Sequence, residues 1–203
     1  DASAPRSVLV EVARALITLD ASDSSASFKS LLSRGSGIQF ETVVEPALAR
    51  WGDADMRQIW QQRLTTTDVT RNRLKLALHA IADLPQSMTA DETLHAEIRS
   101  LIKDRRGEVM IMLKAARTLG QVKRDGLESF AEPLLSSSDQ GSKLDRLAGV
   151  YLLLHHESES SKTLLLQAVT DSLSEARHAP MIRAAWTRLL QRNVSKLSAL
   201  VPT

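Results

Sequence analysis

The chain of 203 residues has a nearly balanced charge, with 26 Lys and Arg against 24 Asp and Glu, and it contains no cysteine. The lack of cysteine excludes disulfides, Cys-based zinc sites, haem attachment through a Cys-x-x-Cys-His motif and a Cys nucleophile. The net charge of +2 is far from the clustered basic excess of most nucleic-acid modules, so the composition allows polyanion binding without favouring it.

Composition favours an all-α fold. Aromatic residues are only 3% of the chain, and Leu and Ala, both strong helix formers, dominate the apolar residues. The longest strongly apolar stretch, Leu147 to Leu154, is far shorter than the roughly 20 residues that cross a bilayer, which predicts a soluble chain. Because the chain begins at Asp1 and shows no basic-then-apolar leader, we expect an excised domain of a larger bacterial protein or a processed form.

The first 52 residues predict atypical helices that cap a repeat array. One apolar helical face is formed by Val8, Val12, Ala15, Leu16 and Leu19. The Ser- and Asp-rich stretch from Ala21 to Ser27 and the stretch from Arg34 to Gly37 are predicted loops. A helix is predicted between Phe40 and Trp51, and Pro46 should start or kink it. Residues 53–203 are predicted to form one continuous array of helical hairpins.

Two kinds of helix alternate along residues 53–203. The first kind is amphipathic, with apolar residues three and four positions apart, a spacing that places them on one face. Its four members contain Met56, Ile59, Trp60 and Leu64; Leu94, Ile98, Leu101 and Ile102; Leu127, Phe130, Leu134 and Leu135; and Leu165, Val169 and Leu173. Asp53, Asp68 and Asp139 are predicted N-cap residues at helix starts.

The second kind of helix carries a basic residue followed by two small or aliphatic residues. The four segments are Lys75-Leu76-Ala77, Lys114-Ala115-Ala116, Arg146-Leu147-Ala148 and Arg183-Ala184-Ala185, at successive offsets of 39, 32 and 37. One hairpin of two short helices has about this length. Asp68 and Asp139 each precede the basic residue by seven positions.

These signatures resemble HEAT repeats, whose second helix carries a basic residue followed by small apolar residues and is often preceded by an Asp in the turn. The resemblance covers roughly residues 53–192 and implies a right-handed α-α superhelix of about five hairpins. Armadillo-like and irregular α-α superhelices stay open as alternatives.

The four basic residues of the signatures have two interpretations. As a ladder on successive second helices they would form an anion-binding stripe, with His79, Arg117 and Arg188 beside it. As structural residues they would bond the preceding turns and hold adjacent hairpins together. We favour the structural interpretation for Lys75, Lys114, Arg146 and Arg183, with Asp68 and Asp139, because recurrence at repeat positions is what the HEAT resemblance implies.

The basic residues in predicted turns are candidate partner-binding residues. Arg105 and Arg106 lie with Lys103 in one turn, and Lys123 and Arg124 lie in the next. Turns at related repeat positions could project to one edge and attract phosphate or an acidic partner. The candidate partner-binding set is therefore Lys75, Arg105, Arg106, Arg117, Lys123, Arg124 and Arg188.

Catalytic, metal and cofactor sites are not indicated. The five histidines have no pair four residues apart that would place two metal ligands on one helix face, and no phosphate- or nucleotide-binding motif is present. Trp51 and Trp60 bracket Asp53 and Asp55, and some HEAT-like DNA glycosylases use Trp and Asp in a basic cleft, but no specific motif carries those roles here.

The favoured hypothesis is a protein-interaction or scaffolding module, not an enzyme, with no cofactor or metal and a protein partner that the sequence does not identify. The alternatives are a nucleic-acid-binding or glycosylase-like protein with a basic concave face, and a purely structural spacer.

Overall fold

The computed structural model describes residues 4–105, 107–136 and 142–173, which contain helices and no strand. The all-α prediction is therefore confirmed. The chain divides into two compact units, Asp1–Asp104 and Arg105–Thr203. The first unit contains α1 (Arg6–Thr18), a 3-10 turn (Ser22–Ser24), α2 (Ser25–Ser33), α3 (Ile38–Arg50), α4 (Ala54–Thr65), α5 (Arg71–Asp83), α6 (Gln86–Thr89) and α7 (Glu92–Asp104). The second contains α8 (Val109–Val122), α9 (Glu128–Leu135), α10 (Ser142–Leu153) and α11 (Glu159–Leu173).

The first unit has two layers of helices. We call α1, α3 and α5 the first layer, in which α3 packs against both α1 and α5. We call α2, α4 and α7 the second layer, in which α4 packs against α7; α2 also packs on α3, and α4 on α3 and α5. The three first-layer helices each have 13 residues, and they begin at Arg6, Ile38 and Arg71, so the interval between their starts is nearly constant. Each residue of a first-layer helix therefore has an equivalent in the next, counted from the helix start.

The core of this unit lies between the two layers. Its largest fully buried side chains include Phe40 and Leu48 of α3, Trp60 of α4 and Leu78 of α5. The amphipathic stripes predicted around Met56 to Leu64 and Leu94 to Ile102 form α4 and α7, and their apolar residues are buried except Ile59. Burial of apolar area, at about 25 cal/mol per Å², is what holds these helices together.

Of the two N-cap residues predicted in the first unit, the structure confirms one and contradicts the other. Asp53 caps α4 as predicted, because its carboxylate accepts a hydrogen bond from the Met56 amide at 3.0 Å. At α5 the prediction of Asp68 is wrong, since the cap is Thr70, which accepts from the Arg73 amide. Asp68 lies two residues too early and is exposed.

One local prediction in the first 52 residues is wrong, and so is one of the two alternatives predicted for Pro46. The Ser-rich stretch from Ala21 to Ser27 begins the 3-10 turn and α2 instead of forming a loop, because Phe28 is buried behind it. Pro46 lies in the interior of α3 instead of near its start. Proline removes one helical hydrogen bond, but seven of the 13 residues of α3 are buried and keep the helix intact.

The second unit is built around α10, which contacts the other three helices described there. Here α8 packs against α10, and α9 packs against both α10 and α11. Gly120 permits the close approach of α8 to α10, since a Cβ there would meet the backbone carbonyl oxygens of Tyr151 and Leu152. Gly149 of α10 likewise faces Leu135 of α9. None of the helices among the described residues is both long and apolar enough to span a membrane.

Candidate functional site

The basic residues of the predicted signatures are half-buried where the structure describes them. Lys75 lies on α5 in the first unit, and Lys114 and Arg146 lie on α8 and α10 in the second. Arg183 and Arg188 lie outside the described residues, as do Arg106 and Asp139. The packing of α8 against α10 does bring two signature-bearing helices together within the second unit.

The basic residues predicted in turns lie in different surroundings. Arg105 donates to the Glu108 carboxylate at 2.6 Å and is half-buried. Arg117 is exposed on α8, and Arg124 is exposed in the turn after it. Lys123, half-buried in that same turn, offers its backbone carbonyl to His156. The turn around Lys123 is thus part of a polar cluster.

A buried carboxylate joins two helices of the first unit. Glu45 of α3 is fully buried and accepts two hydrogen bonds from the guanidinium of Arg63 on α4, at 2.7 and 2.9 Å. The Trp60 indole N–H, also on α4, donates to the same carboxylate at 2.8 Å. Trp60 is therefore a core residue with a satisfied polar atom, and it offers no platform to a nucleotide base.

One turn earlier on α3, Glu41 makes the equivalent pair with α5. Its carboxylate accepts from Arg73 Nε at 3.0 Å and from Arg73 NH2 at 2.7 Å. Hydrogen bonding to Glu41 raises the pKa of the Arg73 guanidinium. The two glutamates fix α3 to the α4–α5 hairpin, and such forked pairs are also geometrically specific.

The second layer is joined at its helix N-termini. Lys29 of α2 lies 3.0 Å from Asp53 and 2.7 Å from Asp55 at the start of α4. Arg57 of α4 in turn donates to Asp91 at 2.7 Å, just before α7. Hydrogen bonds to Asp55 and Asp53 raise the pKa of Lys29, and the bond from Arg57 lowers that of Asp91. We call these two contacts the cap contacts of the first unit.

A third contact of this kind, without a cation, lies in the second unit. Ser158 caps α11 by accepting from the Ser161 amide at 3.1 Å, and its hydroxyl donates to Glu128 of α9 at 2.6 Å. The Ser161 hydroxyl donates to the same carboxylate oxygen at 2.8 Å. The bond from Ser158, with the Glu128 backbone N–H and Ser161, lowers the pKa of Glu128 to about 2.

The same cluster contains a Ser, a His and a Glu, but its hydrogen bonds are not those of a hydrolase. In a catalytic triad the imidazole takes the serine proton and the carboxylate orients the imidazole. Here His156 Nε2 donates to the Lys123 carbonyl at 3.0 Å, and the Ser158 hydroxyl donates to Glu128. The imidazole is buried, and burial lowers its pKa, so it is neutral near pH 7. The cluster joins α9 to α11.

Glu97 of α7 is a half-buried carboxylate of the first unit. Its Oε2 is buried and has no hydrogen-bond partner among the described residues. Burial raises the pKa of Glu97, while a hydrogen bond from Gln61 opposes that effect. Among the described residues, no group of three or more His, Asp and Glu is placed to hold a metal ion.

The apolar face that the sequence predicts on α1 is left largely exposed by the structure. Val8, Val12 and Leu19 are 48%, 50% and 76% exposed, and Ala15 is exposed between them. These positions are four, three and four residues apart, which places them on one face of the helix. We call this set the α1 stripe. Its exposure could not be read from the sequence, because periodicity does not tell what covers a face.

The buried glutamates were not predicted, although the sequence contains a signal for them. Glu41 and Glu45 are four residues apart and alternate with Phe40, Val44 and Leu48 on the buried side of α3. Carboxylates at core positions are almost always paired, so this pattern predicts cationic partners. It does not tell which arginines supply them.

Comparison with known proteins gives no match: no family model, no curated protein and no solved structure is significantly similar to this chain.

Proposed function

We propose that this chain is a protein-interaction or scaffolding module whose hairpins stack in the manner of HEAT repeats, as a right-handed α-α superhelix. Support for the stacking comes from the first-layer helices, which recur at a nearly constant interval, each packed on its predecessor. The cap contacts likewise join successive helices of the second layer. Arrays of this kind characteristically present extended surfaces to partners.

The observation that carries the choice of a protein partner is the mixed charge along one row of equivalent positions on the first layer, near the ends of its helices. Counted from the helix starts, Arg14 of α1 is equivalent to His79 of α5. Thr18 of α1, Arg50 of α3 and Asp83 of α5 share a second equivalent position. Glu11 lies 2.6 Å from Arg14, and Asp83 lies 4.0 Å from His79. A polyanion-binding face would carry an excess of cations, which these positions lack.

Proximity labelling with the full chain in its source cells tests this proposal. We expect a discrete set of protein neighbours, and Arg50→Glu on α3 should reduce their labelling at least threefold. Arg34→Glu is the matched control, because it reverses the same charge at an exposed position outside the first layer. Equal labelling by wild type and both variants, at the level of an unrelated protein, would contradict the proposal.

The nucleic-acid alternative has its own outcome in a binding assay with duplex DNA. Our proposal predicts no measurable affinity at low salt. Affinity that falls steeply as salt rises would instead show release of counterions from phosphate contacts, and would replace the protein-interaction proposal.

A further inference from the structure

The α1 stripe has equivalents on α3 that are covered by another helix. Counted from the start of each helix, Val8 corresponds to Phe40, Val12 to Val44, Ala15 to Ala47 and Leu19 to Trp51. Phe40, Val44 and Ala47 are at most 1% exposed, whereas the residues of the α1 stripe are exposed. This difference in exposure arises because another helix covers this face of α3.

Helix α2 covers this face of α3 by means of one aromatic side chain. Phe28 of α2 contacts Phe40 edge to face, with ring centroids 6.1 Å apart, and stacks on Trp51 at 6.0 Å with an interplanar angle of 14°. Phe28 therefore sits between the first and last members of the equivalent set. Such ring pairs add to the stabilisation that burial alone provides.

Three of the four equivalent positions, Ala77, Ala80 and Leu84, are buried on α5 as well, while the counterpart of Phe40 there is the exposed Arg73. Counted in the same way, Ala47 of α3 corresponds to Ala80 of α5, and Val44 to Ala77, both fully buried beneath the hairpin partner α4. Most of this face is thus buried on two of the three first-layer helices, each of which contacts a second-layer helix. Among the described residues α1 has no such helix, since the layer partner that follows it, α2, packs on α3.

We propose that the α1 stripe is a docking site for an amphipathic helix of a partner protein, seated on α1 as α2 is seated on α3. This inference deepens the proposed function and rests on it. The partner helix would place a bulky apolar side chain between Val8 and Leu19, where Phe28 sits in the covered repeat. Anchors spaced by three and four residues are the usual means by which an amphipathic helix is recognised.

The surroundings of the α1 stripe favour an apolar partner face over a charged one. Glu11 and Arg14, on the adjacent polar side, neutralise each other at 2.6 Å. A second copy of this chain is a poorer occupant, because four side chains on a helix about 20 Å long offer much less than the roughly 800 Å² per partner of a stable interface.

A stapled peptide with the sequence of residues 22–34 provides a probe, since it contains α2 with Phe28. The hydrocarbon staple would join positions 26 and 30, which are exposed in α2. Fluorescence anisotropy against the full chain should give a Kd of about 100 µM or tighter. Phe28→Ala in the peptide should weaken binding at least tenfold.

Variants of the full chain locate the binding site. Val12→Asp and Leu19→Asp should each weaken peptide binding at least tenfold, while Thr18→Asp, exposed on the polar side of α1, should change it less than twofold. Because all three positions are exposed, unchanged circular dichroism and Tm should show that folding is intact. The inference would be overturned if the peptide did not bind, or if its affinity for the Val12→Asp and Leu19→Asp variants equalled that for wild type.

Two further outcomes separate the occupants and the two proposals. A dimer in sedimentation velocity that Leu19→Asp disperses would identify a second copy as the occupant and overturn the partner-helix inference. If the peptide does not bind while labelling of protein neighbours still depends on Arg50, only this inference fails. If no protein neighbour is found, the proposed function fails with it.

Discussion

At the scale of single residues, charge burial in this protein is tied to partners from other helices. Glu45 is fully buried, yet both of its oxygens accept bonds, from Arg63 and from Trp60. Glu97 is the opposite case, with a buried oxygen that lacks a partner among the described residues. The two carboxylates therefore give opposite predictions for substitution.

Glu45→Ala should destabilise the first unit by about 3 kcal/mol, because removing one partner leaves the Arg63 charge and the Trp60 N–H without their acceptor. Urea unfolding followed by circular dichroism measures this loss. Glu11→Ala, which removes a pair with both side chains mostly exposed, should cost less than about 1 kcal/mol. Equal losses for the two variants would show that the Glu45 network contributes no more than a surface pair.

Glu97→Gln should raise the urea midpoint at pH 7. The substitution removes a charge that burial disfavours and keeps a side chain that can bond Gln61. Since the folded-state pKa of Glu97 is raised, wild type gains stability as pH falls through that pKa, and the gap to the variant should narrow towards pH 4.5. A variant that is less stable at pH 7 would mean that the ionised carboxylate is satisfied.

At the scale of helices, small residues and helix caps set the spacing between elements. The sequence predicted the amphipathic stripes of α4 and α7 because periodicity is local. It also predicted the Asp53 cap, a short-range feature. The sequence did not predict the ion pairs of Glu41 with Arg73 and of Lys29 with Asp53, because such pairing depends on which turns of separate helices meet.

Gly120→Ala should destabilise the second unit by about 1–3 kcal/mol. Alanine favours a helix by up to about 1 kcal/mol over glycine, but the new Cβ would lie 2.6 Å from the Leu152 carbonyl oxygen and force α8 away from α10. Gly107→Ala, with no atom within 4 Å of its Cβ, is the control and should be close to neutral. Thermal unfolding of both variants shows whether the higher helix propensity of alanine or the steric clash with α10 determines the stability of Gly120→Ala.

Glu128→Gln should cost about 2 kcal/mol at pH 7 and progressively less in acid, because hydrogen bonds to a charged acceptor are the stronger kind. The pKa of Glu128 is lowered to about 2, so its contribution is complete above its ordinary pKa of 4.5 and is lost as pH falls towards 2. Stability curves from pH 7 to pH 2 measure the convergence with wild type. Glu132→Gln, exposed on α9, should show no such convergence.

At the scale of the whole molecule, the two units should respond separately to local damage. Each has its own buried core, and in repeat arrays a helix contacts only near neighbours. Glu45→Ala should therefore speed amide hydrogen exchange in α3, α4 and α5, while the amides of α9 and α10 keep their wild-type rates. Uniform acceleration throughout both units would indicate one cooperative structure instead.

The all-helical class was predictable at this scale from Leu, Ala and the scarcity of aromatics. The nearly constant interval between the starts of the first-layer helices was not predictable, because the basic signatures are unevenly spaced along the sequence. The basic signature falls on α5, but the positions equivalent to Lys75 are Val10 in α1 and Thr42 in α3. The repeat is therefore one of helix length and spacing, and not of residue identity.

The nearly constant interval between first-layer helices restricts how such a gene can change in length. Deletion of residues 44–76, one whole interval, would join Val43 of α3 to Ala77 of α5 and keep the buried sides of the two half-helices in line. A deletion longer or shorter by a single residue would turn the second half by about 100° and bury its polar side. Viable natural length variants inside this segment should therefore cluster at whole intervals, and other changes should fall in the turns between helices.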